Sequence, residues 1–251
     1  MTTKYEITDQ THPDYPELHR IRALRDIPRW GVRAGDLGGW IESEANLNQQ
    51  GDCWVSDLAR VSGLAQVSHS AQVSGTARVS GSAQVYGSAR VSGSAWVYGS
   101  ARVYGSASVS GTAQVSHSAR VSGSAWVSGS AQVYGSARVS GWARVSGSAR
   151  VSGSARVTQE SDLLTGTVMA SELWPATLTP TQDGGHLLRV GCWTGTVPEF
   201  RAMAESDRWV AADAETRALR RPELIAFADM CAARVATWAP TTDCGILEEE
   251  A

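Results

Sequence analysis

Between Leu58 and Thr158 the chain has no acidic residue and no lysine, while nine arginines fall in that interval. The net charge of −3 therefore conceals a segregation. Residues 1–57 carry six basic and ten acidic side chains, and residues 159–251 carry seven and fifteen. A basic middle between two acidic ends can steer an anionic partner, or let one molecule's middle meet another's end. No apolar run is long enough to span a bilayer. The opening Met1-Thr-Thr-Lys-Tyr-Glu-Ile-Thr lacks the apolar core of a signal peptide, so a cytoplasmic protein with no membrane partner is expected. The four cysteines (Cys53, Cys192, Cys231 and Cys244) have no CxxC or metal-ligand spacing, which predicts small buried apolar side chains and no metal site.

What the chain has instead is a period. From Cys53 to Val157 it repeats Ala-x-Val-Ser-Gly-Ser, with valine at every sixth position from Val55 to Val157 and no insertion. Alanine stands two residues before each valine from Ala59 to Ala155; Cys53 alone departs. A fixed short period means a solenoid in which each unit stacks on its neighbours. Strand side chains alternate, so alanine and valine share the inner face and x points out. Of the eighteen positions two residues after a valine, fourteen are glycine, the residue that suits a left-handed turn. With three units per triangular coil, the eighteen units make six coils and a rod roughly 25–30 Å long at ~4.8 Å per stacked strand.

Residues eighteen apart then stack, and the x residues sort into three faces. The first reads Trp54, Gln72, Arg90, Ser108, Trp126, Arg144, and serine follows every one of its valines, a flat surface suited to subunit packing. The second reads Arg60, Arg78, Trp96, Gln114, Gln132, Arg150, and the third Gln66, Gln84, Arg102, Arg120, Arg138, Arg156. The third ends in four consecutive arginines, with Tyr86 and Tyr104 outward beside them. Like charges directly opposite across strands repel by about 1 kcal/mol at 4 Å even in bulk water. Solvation of splayed guanidiniums is the bland account of this ladder. Contact with an acidic protein surface or an anionic ligand is the functional one, and Arg102, Arg120, Arg138, Arg156, Tyr86 and Tyr104 are its candidate residues. A long nucleic acid is disfavoured, because the acidic ends repel it.

The flanks read as separate pieces. Residues 1–52 form a β cap: Lys4–Thr8 and His19–Ile27 alternate as strands, with Ile21, Ala23 and Ile27 inward. Gly35-Asp-Leu-Gly-Gly-Trp40 is a turn cluster. Gly39-Trp-Ile41 and Ala45-Asn-Leu47 start the repeat weakly, and Gln49-Gln-Gly-Asp52 bulges before Val55. The repeat occupies 53–158. Residues 159–245 form a small α+β module with strands Leu163–Met169, Ala176–Thr181 and His186–Cys192 and a turn at Gln182-Asp-Gly-Gly185. Thr196 caps a helix begun by Val197-Pro198, residues 206–221 tolerate helix, and Pro222–Trp238 is helical, with Pro240 and Asp243-Cys-Gly245 ending it. The acidic tail 246–251 is expected to be disordered. The module offers no Ser/His/Asp, metal or phosphate-loop constellation.

Gly35-x-x-Gly-Gly-Trp40-Ile, followed by Asn46-Leu-x-Gln-Gln-Gly-Asp-Cys-Trp54-Val, resembles the start of a family of bacteriophage and prophage hexapeptide-repeat proteins, described as transferase-like. The likeness covers residues 4–157. It implies a left-handed parallel β-helix and, by analogy with hexapeptide proteins, a homotrimer, but no established activity. Arg189-Val-Gly-Cys192 and Thr196-Val-Pro-Glu-Phe200 resemble the module that often follows the repeat there. Related versions place a histidine where this chain has Gly195, so no histidine chemistry carries over.

The hexapeptide acyltransferases suggest the one enzymatic alternative, with an acyl-CoA donor and a histidine base. His69 and His117 are its weak candidates. Both occupy the glycine position of the turn, where histidine tolerates positive φ, and a separation of 48 residues puts them on different corners. The rod also lacks the extruded loop with which such enzymes shape an acceptor pocket. The sequence therefore reads as a non-catalytic scaffold without cofactor. Its expected partner is a host, defence-system or virion component, met in the host cytoplasm or in the virion.

Overall fold

The structure is a computed structural model that describes residues 3–169, 172–206 and 213–238. It is a parallel β-solenoid of about seven turns between an N-terminal strand cap and a small C-terminal module. Each Ala-x-Val contributes a two-residue strand, from Trp54–Val55 to Arg156–Val157, and these stack into three sheets. The register matches the eighteen-residue period: Gln72, Arg90 and Ser108 are successive partners on the first face, as are Arg60, Arg78 and Trp96 on the second. Every repeat valine and alanine is buried, so the core is a continuous column three valines wide. Each buried valine contributes on the order of 1.5–3 kcal/mol. Coils are tied by the amide of x donating to the next alanine carbonyl, as from Arg60 to Ala77 at 2.9 Å. The amide after valine donates to the next valine carbonyl, as from Ser62 to Val79 at 3.0 Å.

The corners explain the glycines twice over. Gly111 has φ of 68°, a left-handed conformation, and a Cβ there would stand 2.8 Å from the Gly129 carbonyl oxygen one coil on. Asp57, His69 and His117 hold the same conformation at φ 57°, 61° and 58°.

At the N-terminus, Tyr5–His12 and Tyr15–Ala23 form an antiparallel hairpin that continues the second-face sheet through Leu37–Ile41. Ile21 and Ala23 face inward as expected; Ile27 is buried too, but in a loop bridged to Val32. The glycine cluster begins as the expected turn, with Gly35 at φ 95° and the Asp36 amide donating to the Arg33 carbonyl, but runs as a strand from Leu37 to Ile41. Gly38 and Gly39 lie inside it, where a Cβ would come within 2.6 Å of the Val55 and Ala59 carbonyl oxygens respectively. Ile41 pairs with Val61 and Leu47 with Val67, twenty residues on rather than eighteen, and the two extra residues are the predicted bulge before Cys53.

Two sequence expectations fail in this first turn. Ala45 is exposed and Asn46 is buried, because a 3-10 turn at Glu44–Asn46 rotates the chain. The Asn46 amide donates to the Gly63 and Ala65 carbonyls at 2.9 Å each, replacing backbone donors that the turn withdraws. Trp54 keeps its outward position but is covered rather than exposed, with Gly38 against its ring. The last coil ends on a matching 3-10 turn, Glu160–Asp162. There Asp162 Oδ2 accepts from the Thr158 amide and hydroxyl at 2.7 Å each.

The C-terminal module has a four-stranded antiparallel sheet: Leu164–Met169, Leu173–Pro180, His186–Val190 and Trp193–Gly195. The last strand was not anticipated. Helix α1, Val197–Glu205, starts at Thr196 in a reciprocal capping box with Glu199. Helix α2, Ala214–Ala236, carries Leu224, Ala228 and Cys231 on its buried stripe, and Pro222 lies inside it rather than at its start. The expected helix end at Pro240 and Asp243-Cys-Gly245 and the acidic tail lie outside the described residues, as does Cys244. Cys53 and Cys231 are buried as expected, but Cys192, next to the turn at Gly191, is exposed. The module covers the end of the rod: Ala155 bridges Thr181, and the Arg150 amide donates to Thr177 Oγ1 at 3.1 Å. Among the described residues, no helix is long and apolar enough to cross a membrane.

Candidate binding surface

The third face holds most of the sequence-predicted site residues together. Arg102 pairs with Arg120, Arg120 with Arg138 and Arg138 with Arg156, each one strand apart and in register. All four side chains are exposed. The ion pairs among the described residues are Arg22–Glu6, Arg201–Glu205, Arg201–Asp229 and Arg220–Glu223, and none involves the ladder. The sequence cause is plain: the interval that carries these arginines contains no carboxylate. Beside the ladder's start, Tyr86 and Tyr104 stack with ring centroids 5.0 Å apart and planes 3° from parallel. At its other end Arg156 borders a hollow of about 290 Å³ between the last coil and the module, lined also by Gln159, Thr181 and Trp238.

His69 and His117 are not brought together. Each sits on its own left-handed corner with Nδ1 3.0 Å from the preceding serine hydroxyl, Ser68 or Ser116. His69 lies beside Tyr86 and His117 beside Tyr134, at centroid distances of 6.1 and 6.3 Å. In the module, His186 Nε2 accepts from the Val197 amide at 2.9 Å, which requires that nitrogen unprotonated. Burial lowers the His186 pKa from its usual value, opposed by the Glu199 carboxylate. Glu199 itself is held below the usual carboxylate range by the Thr196 amide and hydroxyl. A side chain at Gly195 would meet Trp193 at 2.7 Å and Glu199 Oε2 at 2.8 Å, so packing fills that position.

Periodicity did not reveal a groove on the second face, where the hairpin end folds back over the rod. There the Arg60 guanidinium lies 4.5 Å from the Tyr15 ring centroid, and Arg60, Arg78 and Trp96 form one stacked row. The row was legible in the sequence; the wall that Tyr15 and Glu17 build beside it was not.

A family model described as YdcK Beta solenoid repeat matches residues 71–87 and 83–99. Both segments lie inside the rod, and the match supports reading its repeats as those of a β-solenoid repeat family. No curated protein matches the chain.

Proposed function

We propose that the protein is a non-catalytic β-solenoid scaffold whose third face engages an acidic surface on a protein partner. The observation that supports this most is the ladder Arg102–Arg120–Arg138–Arg156: four guanidiniums in register, exposed, with no carboxylate partner among the described residues. Their mutual repulsion works against the fold, and an array of carboxylates opposite them would relieve it. Arginine suits the task because its planar fork takes a carboxylate in a bidentate pair. The rod sets a fixed spacing, and the module beside Arg156 adds contacts at one end. The setting we infer is that of the phage and prophage hexapeptide-repeat proteins, acting as a homotrimer in the host cytoplasm, with no cofactor.

The test uses an immobilised poly-glutamate peptide as an acidic surface. Wild-type protein is expected to bind with an affinity that falls steeply between 50 and 300 mM salt, and Arg120→Glu/Arg138→Glu is expected to abolish binding. Binding that ignores salt, or that survives the double charge reversal, overturns the ladder as the contact. Saturating acetyl-CoA is expected to leave the melting temperature unchanged; a shift of several degrees overturns the non-catalytic reading in favour of an acyltransferase.

A further inference from the structure

The second face carries a walled groove that the ladder does not explain. Its floor is the row Arg60, Arg78 and Trp96, with the Ser80 hydroxyl accepting from the Trp96 indole at 3.3 Å. Tyr15 and Glu17 of the hairpin form one wall of a hollow of about 200 Å³ that is open to solvent on its other side. Trp96 remains 37% exposed, with Tyr98 tilted against its ring at a centroid distance of 4.4 Å. Across Arg78 and Trp96 lies a second hollow of about 270 Å³, lined by Thr76, Ser94, Thr112 and Gln114. No ion pair among the described residues involves Arg60, Arg78 or Glu17.

We propose that this groove binds an acidic oligosaccharide, with a hexuronate ring in the walled hollow and its neighbour in the second. Three features select that chemistry. Arg60 and Arg78 stand one strand apart with like charge, and a single carboxylate shared between them offsets the repulsion. The exposed indole of Trp96 offers a flat apolar face to the C–H side of a pyranose, while the Tyr15 ring holds the Arg60 guanidinium at the wall. Glu17 then decides between ligands. A carboxylate on the wall opposes a ligand that is anionic throughout, such as a polyphosphate, but accepts hydrogen bonds from sugar hydroxyls. The hollow is smaller than the ~300–1,000 Å³ typical of drug-sized ligands, which suits its walled part to one small ring. The hydroxyls and amide of Thr76, Ser94, Thr112 and Gln114 continue the polar lining along the chain direction of the rod. This site lies on a different face from the ladder and stands or falls separately from it.

The experiment measures binding of galacturonate, mannuronate and guluronate tetramers by titration calorimetry, with their methyl esters as uncharged controls of the same rings. At least one tetramer is expected to bind, and its methyl ester to bind at least tenfold more weakly. Arg78→Ala and Trp96→Ala are each expected to lose tenfold or more with unchanged melting temperatures, since both side chains lie on the surface. Arg120→Glu, on the third face, is expected to leave the affinity intact. The proposal is overturned if none of the three tetramers binds at millimolar concentration. It is equally overturned if the esters bind as well as the acids, if binding survives Arg78→Ala and Trp96→Ala, or if Arg120→Glu abolishes it. Competition by inorganic phosphate as effective as by the tetramer would mean a simple anion site and also overturns it.

Discussion

Lys4 Nζ and Cys53 Sγ lie 3.0 Å apart, both buried, in the corner where the rod begins. The bulge before Cys53 turns the carbonyls of Asn48 and Cys53 inward, and Lys4 donates to both, at 2.8 Å in the case of Cys53. Burial lowers the Lys4 pKa, so holding the ammonium there works against desolvation, and the two carbonyls and the sulfur are what offset it. This accounts for the one departure from alanine in the repeat. Cysteine is buried at the corner that follows the bulge and supplies an acceptor there. Lys4→Met is expected to cost about 1–3 kcal/mol in urea unfolding, because it strands two buried acceptors. Cys53→Ala restores the repeat consensus yet is expected to destabilise, by about 1 kcal/mol. An unchanged midpoint in Lys4→Met would show that the corner does not depend on the lysine.

The corners give a prediction of opposite sign. His117 holds φ at 58°, where a Cβ is unfavourable, while glycine adopts that conformation freely. His117→Gly is expected to be neutral or stabilising by up to about 1 kcal/mol, since relief of strain outweighs the added entropy of the unfolded chain. Gly111→Ala meets both constraints at once, with φ of 68° and a Cβ 2.8 Å from the Gly129 oxygen, and is expected to lose about 1–3 kcal/mol. Paired urea curves decide it. A loss in His117→Gly comparable to that in Gly111→Ala would mean that the Ser116–His117 contact matters more than the backbone.

These corners also show what was legible in the sequence. The inward column, the three faces and the stacking of Arg102 on Arg120 all follow from a period of six and the alternation of a strand, which are local rules. The first turn broke the rule because Asn46 could satisfy carbonyls from within a 3-10 turn, and the pattern Ala45-x-Leu47 gives no sign of that. Trp54 occupies an outward position, but the strand Leu37–Ile41 places Gly38 against its ring, a tertiary event. The groove beside Arg60 and Trp96 needed the same kind of information. Tyr15 comes near Arg60 only because the hairpin folds back over the second face, and nothing in the local pattern of residues 12–18 specifies that. Trp193–Gly195 is too short for alternation to mark it, yet all three of its residues pair with Leu188, Arg189 and Val190.

The module has a titratable joint. His186 Nε2 accepts the Val197 amide at the first turn of α1, and its folded pKa lies below the ordinary 6.5. Above that value both folded and unfolded histidine are neutral, and the contribution is fully present. As pH falls from 6.5 through the folded value, the unfolded chain takes up the proton more readily and the contribution is lost. Stability is therefore expected to fall as the pH drops below about 6.5 towards the lowered folded value, a loss that begins above the range in which Glu199 and Asp213 titrate, since both lie below their ordinary carboxylate values. His186→Gln is expected to flatten that slope in urea titrations made at each pH. A slope that persists in the variant would assign the effect to another group.

The ladder itself can be tested through stability, without any partner. Arg138 has Arg120 on one side and Arg156 on the other. Replacing it with glutamine keeps the strand and much of the stem, and the same face already stacks Gln66 on Gln84 in this way. At 0.01 M salt the screening length is about 30 Å, and two like charges one strand apart repel by up to about 1 kcal/mol in water-like surroundings. Arg138→Gln is therefore expected to raise stability by several tenths of a kcal/mol to about 1 kcal/mol at low salt, with the gain shrinking as salt shortens the screening length to about 3 Å at 1 M. The same variant is expected to weaken binding to the poly-glutamate surface. A guanidinium that costs the fold and serves the contact is what an anion-binding ladder requires. If Arg138→Gln instead loses stability at every salt concentration, the methylene stems are packing along the face, and the ladder is a structural covering rather than a contact.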